Sequence, residues 1–444
     1  MRDRMTRRHF VAAAGAIAAT GLRLPHARAA AADKPAMLGG TPAIDKPFPT
    51  WPIFDQAEEQ ALLSTLSSGR WFRGTGSNVA EFESAYARLI GAKHCIATSS
   101  GTSALIASLM AHGVGPGDEV ILTPYTFVAC VNAILSLGAM PVFADVDRQT
   151  FQIDAGKIEV LITDRTVAIM PVHIGGNAFD VDVVLEIARK HKLAVVEDAC
   201  QAHLAEWRRR RVGAFGDTGC FSFQASKNLT GGEGGAILTD NDELAEKCHA
   251  IQTNGHPRRG VPGRRMLIRG ANFRMSEFHA ALLLTQMKRL PEQATTRDDN
   301  AAHLTRRLKE IPGIAPAAAY NGCTRNAWHL YMFRYDPSHF ADLPRAQFLR
   351  ALAAEGIPAS GGYAPLNREP FITETLQSRP FQRAFPESYR SQWPTRNECP
   401  ENERLCGEAV WFTQNMLLAD TAAMDRIADA IARIQRHAAE LPRG

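Results

Sequence analysis

The sequence predicts an α/β fold, a sheet covered by helices on both faces and followed by a smaller C-terminal domain, and three observations carry that reading. Between Ser103 and Asn254, short β-rich runs alternate with apolar helical runs. Several of the β-rich runs end where polar residues begin, which is where open α/β sheets present their ligands. The 444 residues, 45% hydrophobic and 22% charged, can bury one large core and a second smaller one, which excludes a disordered or fibrous chain.

Taken in order, strands are expected over 119–122, 140–144, 167–171, 193–197, 219–223 and 235–238, with helical runs such as 103–111 and 181–191 between some of them. A long helical stretch is expected over 276–311, leading away from the sheet. The proline-containing segment 311–319 then reads as a boundary. The expected organisation is a leader over 1–29, a large domain over 30–310 with an N-terminal arm, and a small α+β domain over 311–444. Within the last, 363–403 is rich in Pro, Arg, Gln and Ser and reads as loops. No internal repeat stands out.

Residues 1–29 hold six arginines against the single acid Asp3, then an Ala-rich apolar run, then Ala27-Arg28-Ala29. With Thr6-Arg7-Arg8-His9-Phe10 ahead of the apolar run, this is the outline of a twin-arginine export signal, and the run is too short to span a bilayer. Export would place the mature protein outside the cytoplasm; without use of the signal it is cytoplasmic. Losing six arginines and one aspartate takes the formal charge from +4 to −1, so nothing basic remains to argue for nucleic acid. The run Arg208 to Arg211 reads as decoration on an exposed hairpin. The eight cysteines lack the paired short spacings of a zinc site. Cys95, Cys130, Cys200 and Cys220 read as core residues, while an oxidising compartment would permit a disulfide among Cys323, Cys399 and Cys406.

The segment Phe221-Ser222-Phe223-Gln224-Ala225-Ser226-Lys227 ends a β-run in a lysine, and a glycine-dense loop, 231–235, follows. Desolvation at a strand end lowers a lysine pKa and makes the amine a nucleophile toward an aldehyde, and the glycines admit a bulky ligand. Alone, the same pattern fits a surface lysine beside a tight turn. Upstream, Val195-Val196-Glu197-Asp198 places acids at the end of an apolar strand, where a buried carboxylate needs a cationic or hydrogen-bonding partner. Asp198 by itself fits a helix cap or a metal ligand equally well. Ser99-Ser100-Gly101-Thr102-Ser103 opens directly into a helix, and free N–H groups there suit a phosphate, although Ser and Thr cap ordinary helices too. Pro124-Tyr125-Thr126-Phe127 offers aromatics that suit either a planar ring or a core.

In this order the lysine, the acid, the anion loop and the aromatic resemble the DegT/DnrJ/EryC1/StrS family of pyridoxal-phosphate sugar aminotransferases. Further motifs extend the resemblance over nearly all of the mature chain: Leu38-Gly39-Gly40-Thr41-Pro42, Glu197 through His203, and Asn272-Phe273-Arg274-Met275-Ser276-Glu277-Phe278. The resemblance implies fold type I, with a mixed, mostly parallel seven-stranded sheet. It implies that Lys227 carries pyridoxal 5'-phosphate as an imine, that Asp198 pairs with the pyridine nitrogen and that Gln201 bonds near the ring oxygen. It further implies that Gly101, Thr102 and Ser222 hold the phosphate and that Phe127 lies against the ring. Asn272 would reach the phosphate of a neighbouring subunit, so the site implies a homodimer. His203 would stand behind the cofactor, not in the reaction.

The implied reaction moves an amino group from glutamate or glutamine to a keto sugar, a nucleotide-linked keto sugar or a keto cyclitol. Two alternatives remain open at this point: a pyridoxal-phosphate dehydratase or lyase of the same family, and a sensor that kept the pocket without turnover. Dehydratase relatives have His where this chain has Lys227. Substrate choice is expected in the Arg-rich stretch 258–269 and in Trp328-His329-Leu330-Tyr331.

Overall fold

The computed structural model of the protein describes residues 33–258 and 268–443. The leader expected over 1–29 and residues 259–267 of the Arg-rich stretch lie outside the described residues. Seven strands form the main sheet: β1 (His94–Thr98), β2 (Glu119–Leu122), β3 (Met140–Phe143), β4 (Thr166–Met170), β5 (Ala194–Asp198), β6 (Thr218–Ser222) and β7 (Gly235–Thr239). Their order in space is β1-β7-β6-β5-β4-β2-β3. The run from β6 to β3 is parallel, and β7 is antiparallel to both of its neighbours. Six of these strands match the expected runs within two residues at each end. The missed one, β1, is an edge strand whose segment His94-Cys95-Ile96-Ala97-Thr98 has too little β-branched or alternating character to announce itself.

Both faces are covered. One carries α2 (Gly101–Ala111), α3 (Ala129–Ser136) and α5 (Asp242–Gln252); the other carries α1 (Asn78–Ile90), α4 (Val181–His191) and α6 (Glu277–Gln286). β2 and β3 are buried at every position, and apart from Glu119 they read as apolar runs, as strands covered on both faces do. The expected single helix over 276–311 is instead two, α6 and α7 (Leu290–Leu308). Pro291 sits in the first turn of α7, where its missing N–H costs nothing, and it cannot continue the helix before it.

A second antiparallel sheet, β8 (Ile314–Pro316), β9 (Leu330–Tyr335) and β10 (Ala409–Thr413), packs with α7 and α8 (Thr421–Arg436) around its own core of Tyr331, Phe333, Phe412, Ile427 and Ile431. The expectation of loops over 363–403 fails. The segment folds into short helices, among them Pro370–Leu376, Arg379–Ala384 and Pro400–Glu408. Their apolar residues Ile372, Leu376, Phe381, Phe385 and Trp393 join the core of the main sheet. Trp393 donates to the Pro141 carbonyl at 2.8 Å and the Phe143 amide donates to Asn397 at 2.7 Å, so this segment covers the free edge of β3. Tertiary burial outweighed a loop-like composition.

Arg208 and Arg209 do form the tip of a hairpin, both at positive φ, with Arg208 paired to Asp182. The disulfide thought possible among Cys323, Cys399 and Cys406 is absent; all eight cysteines are free. Among the described residues, no helix is long and apolar enough to cross a membrane, and no group of His, Cys, Asp and Glu is placed to hold a metal ion.

Candidate functional site

The strand ends β5 and β6, the start of α2 and the turn after β6 enclose a cavity of about 950 Å³, closed on its far side by Tyr363, Trp411 and the 413–415 segment. Gly101, Thr102, Phe127, Asp198, Gln201, Ser222 and Lys227 all line it. Asn272 does not; it is exposed, bridged in backbone pairing to Thr253.

Lys227 leaves β6 on a turn closed by its own N–H to the Gln224 carbonyl at 2.9 Å. Among the described residues, nothing hydrogen-bonds its amine. Burial pulls that amine below the ordinary lysine range, opposed by the charge of Asp198 nearby. The loop behind it is tied to β6 by the Gly231 amide and the Thr230 hydroxyl, both donating to the Phe223 carbonyl at 3.0 Å.

At the other wall, Ser100 caps α2: its hydroxyl accepts from the Ser103 amide at 3.1 Å, and the Ser103 hydroxyl accepts from the Ser100 amide at 2.9 Å. Among the described residues, that leaves the Gly101 and Thr102 amides unpaired at a helix N-terminus beside the Ser222 hydroxyl. A side chain at Gly101 would place its Cβ 2.7 Å from the Ser222 Cβ and 2.9 Å from the Cys200 sulfur, so the room in this cradle depends on glycine.

Asp198 is 4% exposed. Its Oδ1 accepts from the Cys200 amide at 3.0 Å and its Oδ2 from the Cys130 thiol at 2.9 Å. Gln201 is held by the Gly175 amide, which donates to Oε1 at 2.8 Å, and its Nε2 donates to the Tyr363 hydroxyl at 3.0 Å. One Nε2 hydrogen therefore remains free beside the cavity. Phe127 is 57% exposed and lines the same cavity. His203 is buried behind Ser222: its Nε2 meets the Ser222 carbonyl and its Nδ1 the Tyr86 hydroxyl, each at 2.9 Å. A carbonyl only accepts, so Nε2 carries the hydrogen. Burial keeps the ring neutral by pulling its pKa down to about 3.

Three of the lining residues given no site role in the sequence reading bear on the chemistry. Cys130 and Cys200, read as core, both face the cavity, with Cys130 buried and Cys200 partly exposed. Tyr363 stands edge-on to Tyr125 and Trp411, at centroid distances of 5.4 and 4.8 Å. No local signal pointed to it, because it comes from the segment read as loop. Within the stretch 328–331, His329 and Leu330 line the cavity. The other two residues do not, since Trp328 bonds Asp298 at 2.8 Å and stacks on Tyr331.

Among the described residues, a lysine amine with no partner, an acid on the neighbouring strand that still has lone pairs to offer, and an open helix N-terminus lining the same cavity suit an aldehyde-bearing aromatic phosphate. The fold and site thus define a pyridoxal-phosphate enzyme of fold type I. The chain belongs to the DegT/DnrJ/EryC1/StrS aminotransferase family, whose model matches residues 52–431. It is 37% identical over 423 residues to an L-glutamine:2-deoxy-scyllo-inosose aminotransferase of Streptoalloteichus tenebrarius, covering 91% of this chain and 98% of that protein. It is also 37% identical over 429 residues to an L-glutamine:scyllo-inosose aminotransferase of Streptomyces griseus, covering 92% and 99%. The crystal structure of 3-amino-5-hydroxybenzoic acid synthase superposes with a TM-score of 0.78 at 33% identity, covering 87% of this chain and 98% of that one.

Proposed function

We propose that this aminotransferase takes an amino group from glutamine or glutamate and delivers it to the carbonyl carbon of a keto cyclitol or keto sugar, free or nucleotide-linked, with Lys227 as the base. The observation that carries the reading is the unbonded, burial-depressed Lys227 amine in one cavity with Asp198. The names of the two inosose aminotransferases support glutamine as donor and a cyclitol ketone as acceptor.

When bound, pyridoxal phosphate supplies an electron sink for the charge left on a substrate carbon after proton removal. The Gly101 and Thr102 amides and the Ser222 hydroxyl would hold its phosphate, and Phe127 would lie across its ring. Asp198 would keep a proton on the ring nitrogen, and the free Nε2 hydrogen of Gln201 would reach the ring oxygen. Lys227 Nζ then takes the proton from the donor's α-carbon and, in the reverse half, returns one to the acceptor's carbon. A lowered amine pKa favours this role, because more of the side chain is unprotonated near neutral pH.

Residues 30–310 would form the cofactor-carrying domain and 311–444 the smaller one. Asn272, exposed and away from its own cavity, fits a role at the phosphate of a second copy. The half-exposed Leu63, Leu66, Trp71 and Phe72 supply apolar surface for such a homodimer. Residues 1–29 would direct twin-arginine export; replacing Arg7 and Arg8 by Lys should retain the protein in the cytoplasm, and undiminished export of that variant ends the export reading.

Mixing the holoenzyme with glutamine should bleach the visible band of the bound cofactor, and a keto cyclitol added afterwards should restore it. Lys227→Ala should lack the visible band from the start. Failure of every amino donor to bleach the wild type would favour the dehydratase reading instead.

A further inference from the structure

We propose that Cys130 is a positioning residue, whose thiol holds Asp198 and sets how strongly that carboxylate grips the cofactor's ring nitrogen. The inference rests on the placement of Asp198 opposite that nitrogen.

Cys130 stands in the first turn of α3, packed against the end of β5, with its sulfur 2.9 Å from Asp198 Oδ2 and 3.2 Å from Thr126 Oγ1. A thiol has one hydrogen. Given to Asp198, it leaves the sulfur only as an acceptor, so the Thr126 hydroxyl donates to it. The result is a directed chain from Thr126 through Cys130 to Asp198. Burial, reinforced by the adjacent Asp198 charge, pushes the Cys130 pKa well up, so the thiol stays neutral and keeps donating.

Thr126 and Cys130 are each 1% exposed and Asp198 4%, so water does not compete for these bonds. With Oδ1 pinned by the Cys200 amide and Oδ2 by the thiol, the carboxyl group cannot turn, and its remaining lone pairs stay aimed at the cavity. The thiol also draws charge from the carboxylate. Because S–H is a weaker donor than O–H, Cys130 leaves more charge on Asp198 than a serine there would.

Removing the donor should raise the negative charge beside the cofactor and favour its protonated form. The test is a pH titration of the visible absorbance of the holoenzyme, together with steady-state kinetics. Cys130→Ala should move the spectral midpoint upward by about half a pH unit or more and lower kcat about tenfold with little change in donor KM, the scale of one charge-assisted hydrogen bond. Cys130→Val, which keeps the volume, should do the same, and guards against a fault in packing. Cys130→Ser should restore kcat and move the midpoint to the acid side of the alanine variant. On an Asp198→Asn background, the Cys130→Ala change should leave the midpoint where it was.

An unmoved midpoint in both Cys130→Ala and Cys130→Val would overturn the inference, as would an equal shift on the Asp198→Asn background. If Asp198→Asn alone changes neither spectrum nor turnover, the placement of Asp198 fails and takes this inference with it. An effect of Asp198→Asn without any effect at Cys130 rejects the thiol's role alone.

Discussion

Glu197 and Asp198 are consecutive acids at the end of β5, yet alternation along a strand sends them to opposite faces of the sheet. On its face, Glu197 accepts from the Phe215 and Gly216 amides at 2.6 Å, from the Gly213 amide at 2.8 Å and from His173 Nε2 at 3.0 Å. These four donors match the acceptor capacity of a carboxylate and tie the 213–216 turn to the sheet. Burial alone would raise its pKa, but the His173 bond and the backbone amides outweigh it and hold the group below the ordinary glutamate range. Asp198 receives only two donors and borders the cavity. The same chemical group, one residue apart, is saturated on one face and has capacity to spare on the other; spare acceptor capacity marks the one available to a ligand.

The comparison breaks most visibly if the two acids respond alike. Asp198→Asn should lower kcat by about a hundredfold or more, the scale of one transition-state electrostatic contact, while its melting temperature stays near that of the wild type. Glu197→Ala should do the opposite in kind. It strands three backbone amides and His173 in the core, and denaturant unfolding should show about 3–5 kcal/mol of lost stability. A stable Glu197→Ala protein with impaired turnover would reverse the assignments.

Acid should sharpen the same contrast. Because the folded-state pKa of Glu197 lies below its unfolded value, its stabilisation is full above the ordinary glutamate pKa and disappears as pH falls through the lowered one. His203 adds to this: neutral when folded but free to protonate when unfolded, it withdraws stability progressively below about pH 6.5 until its folded pKa of about 3. Stability by calorimetry should therefore fall from pH 6.5 downward. His203→Gln should flatten the upper part of that decline, and an unchanged profile would contradict a buried neutral His203. The smallest expected effect is at the cradle, where Gly101→Ala should weaken cofactor binding about tenfold, read by the concentration needed to restore the visible band to apoprotein.

Much of this site is readable in the sequence because its parts sit next to recognisable local structure. Lys227 follows β6 and precedes glycines, Asp198 ends β5, and Gly101 and Thr102 open α2, so each announces itself through a pattern only a few residues long. Ser222 ends β6 in the same way, and Phe127 lies just ahead of α3. Tyr363 gives no such signal: it meets Gln201 across 162 positions of chain, from a segment whose composition reads as loop. The missed edge strand β1 and the broken helix at Met287 to Pro291 failed for related reasons, since one depends on pairing with a distant strand, β7, and the other on a single proline inside a periodic run.

The sequence by itself determined the α/β class, most strands of the main sheet, the lysine, the acid and the helix start, because backbone propensity, apolar periodicity and capping act over a few neighbouring residues. Only the tertiary structure decided how hydrogen-bond donors divide between the two adjacent acids, that Cys130 reaches Asp198, and that the 363–403 segment folds into helices against the edge of β3. Those outcomes depend on which groups are brought together and sealed from water when distant parts of the chain close on one another, and no short window of sequence carries that information.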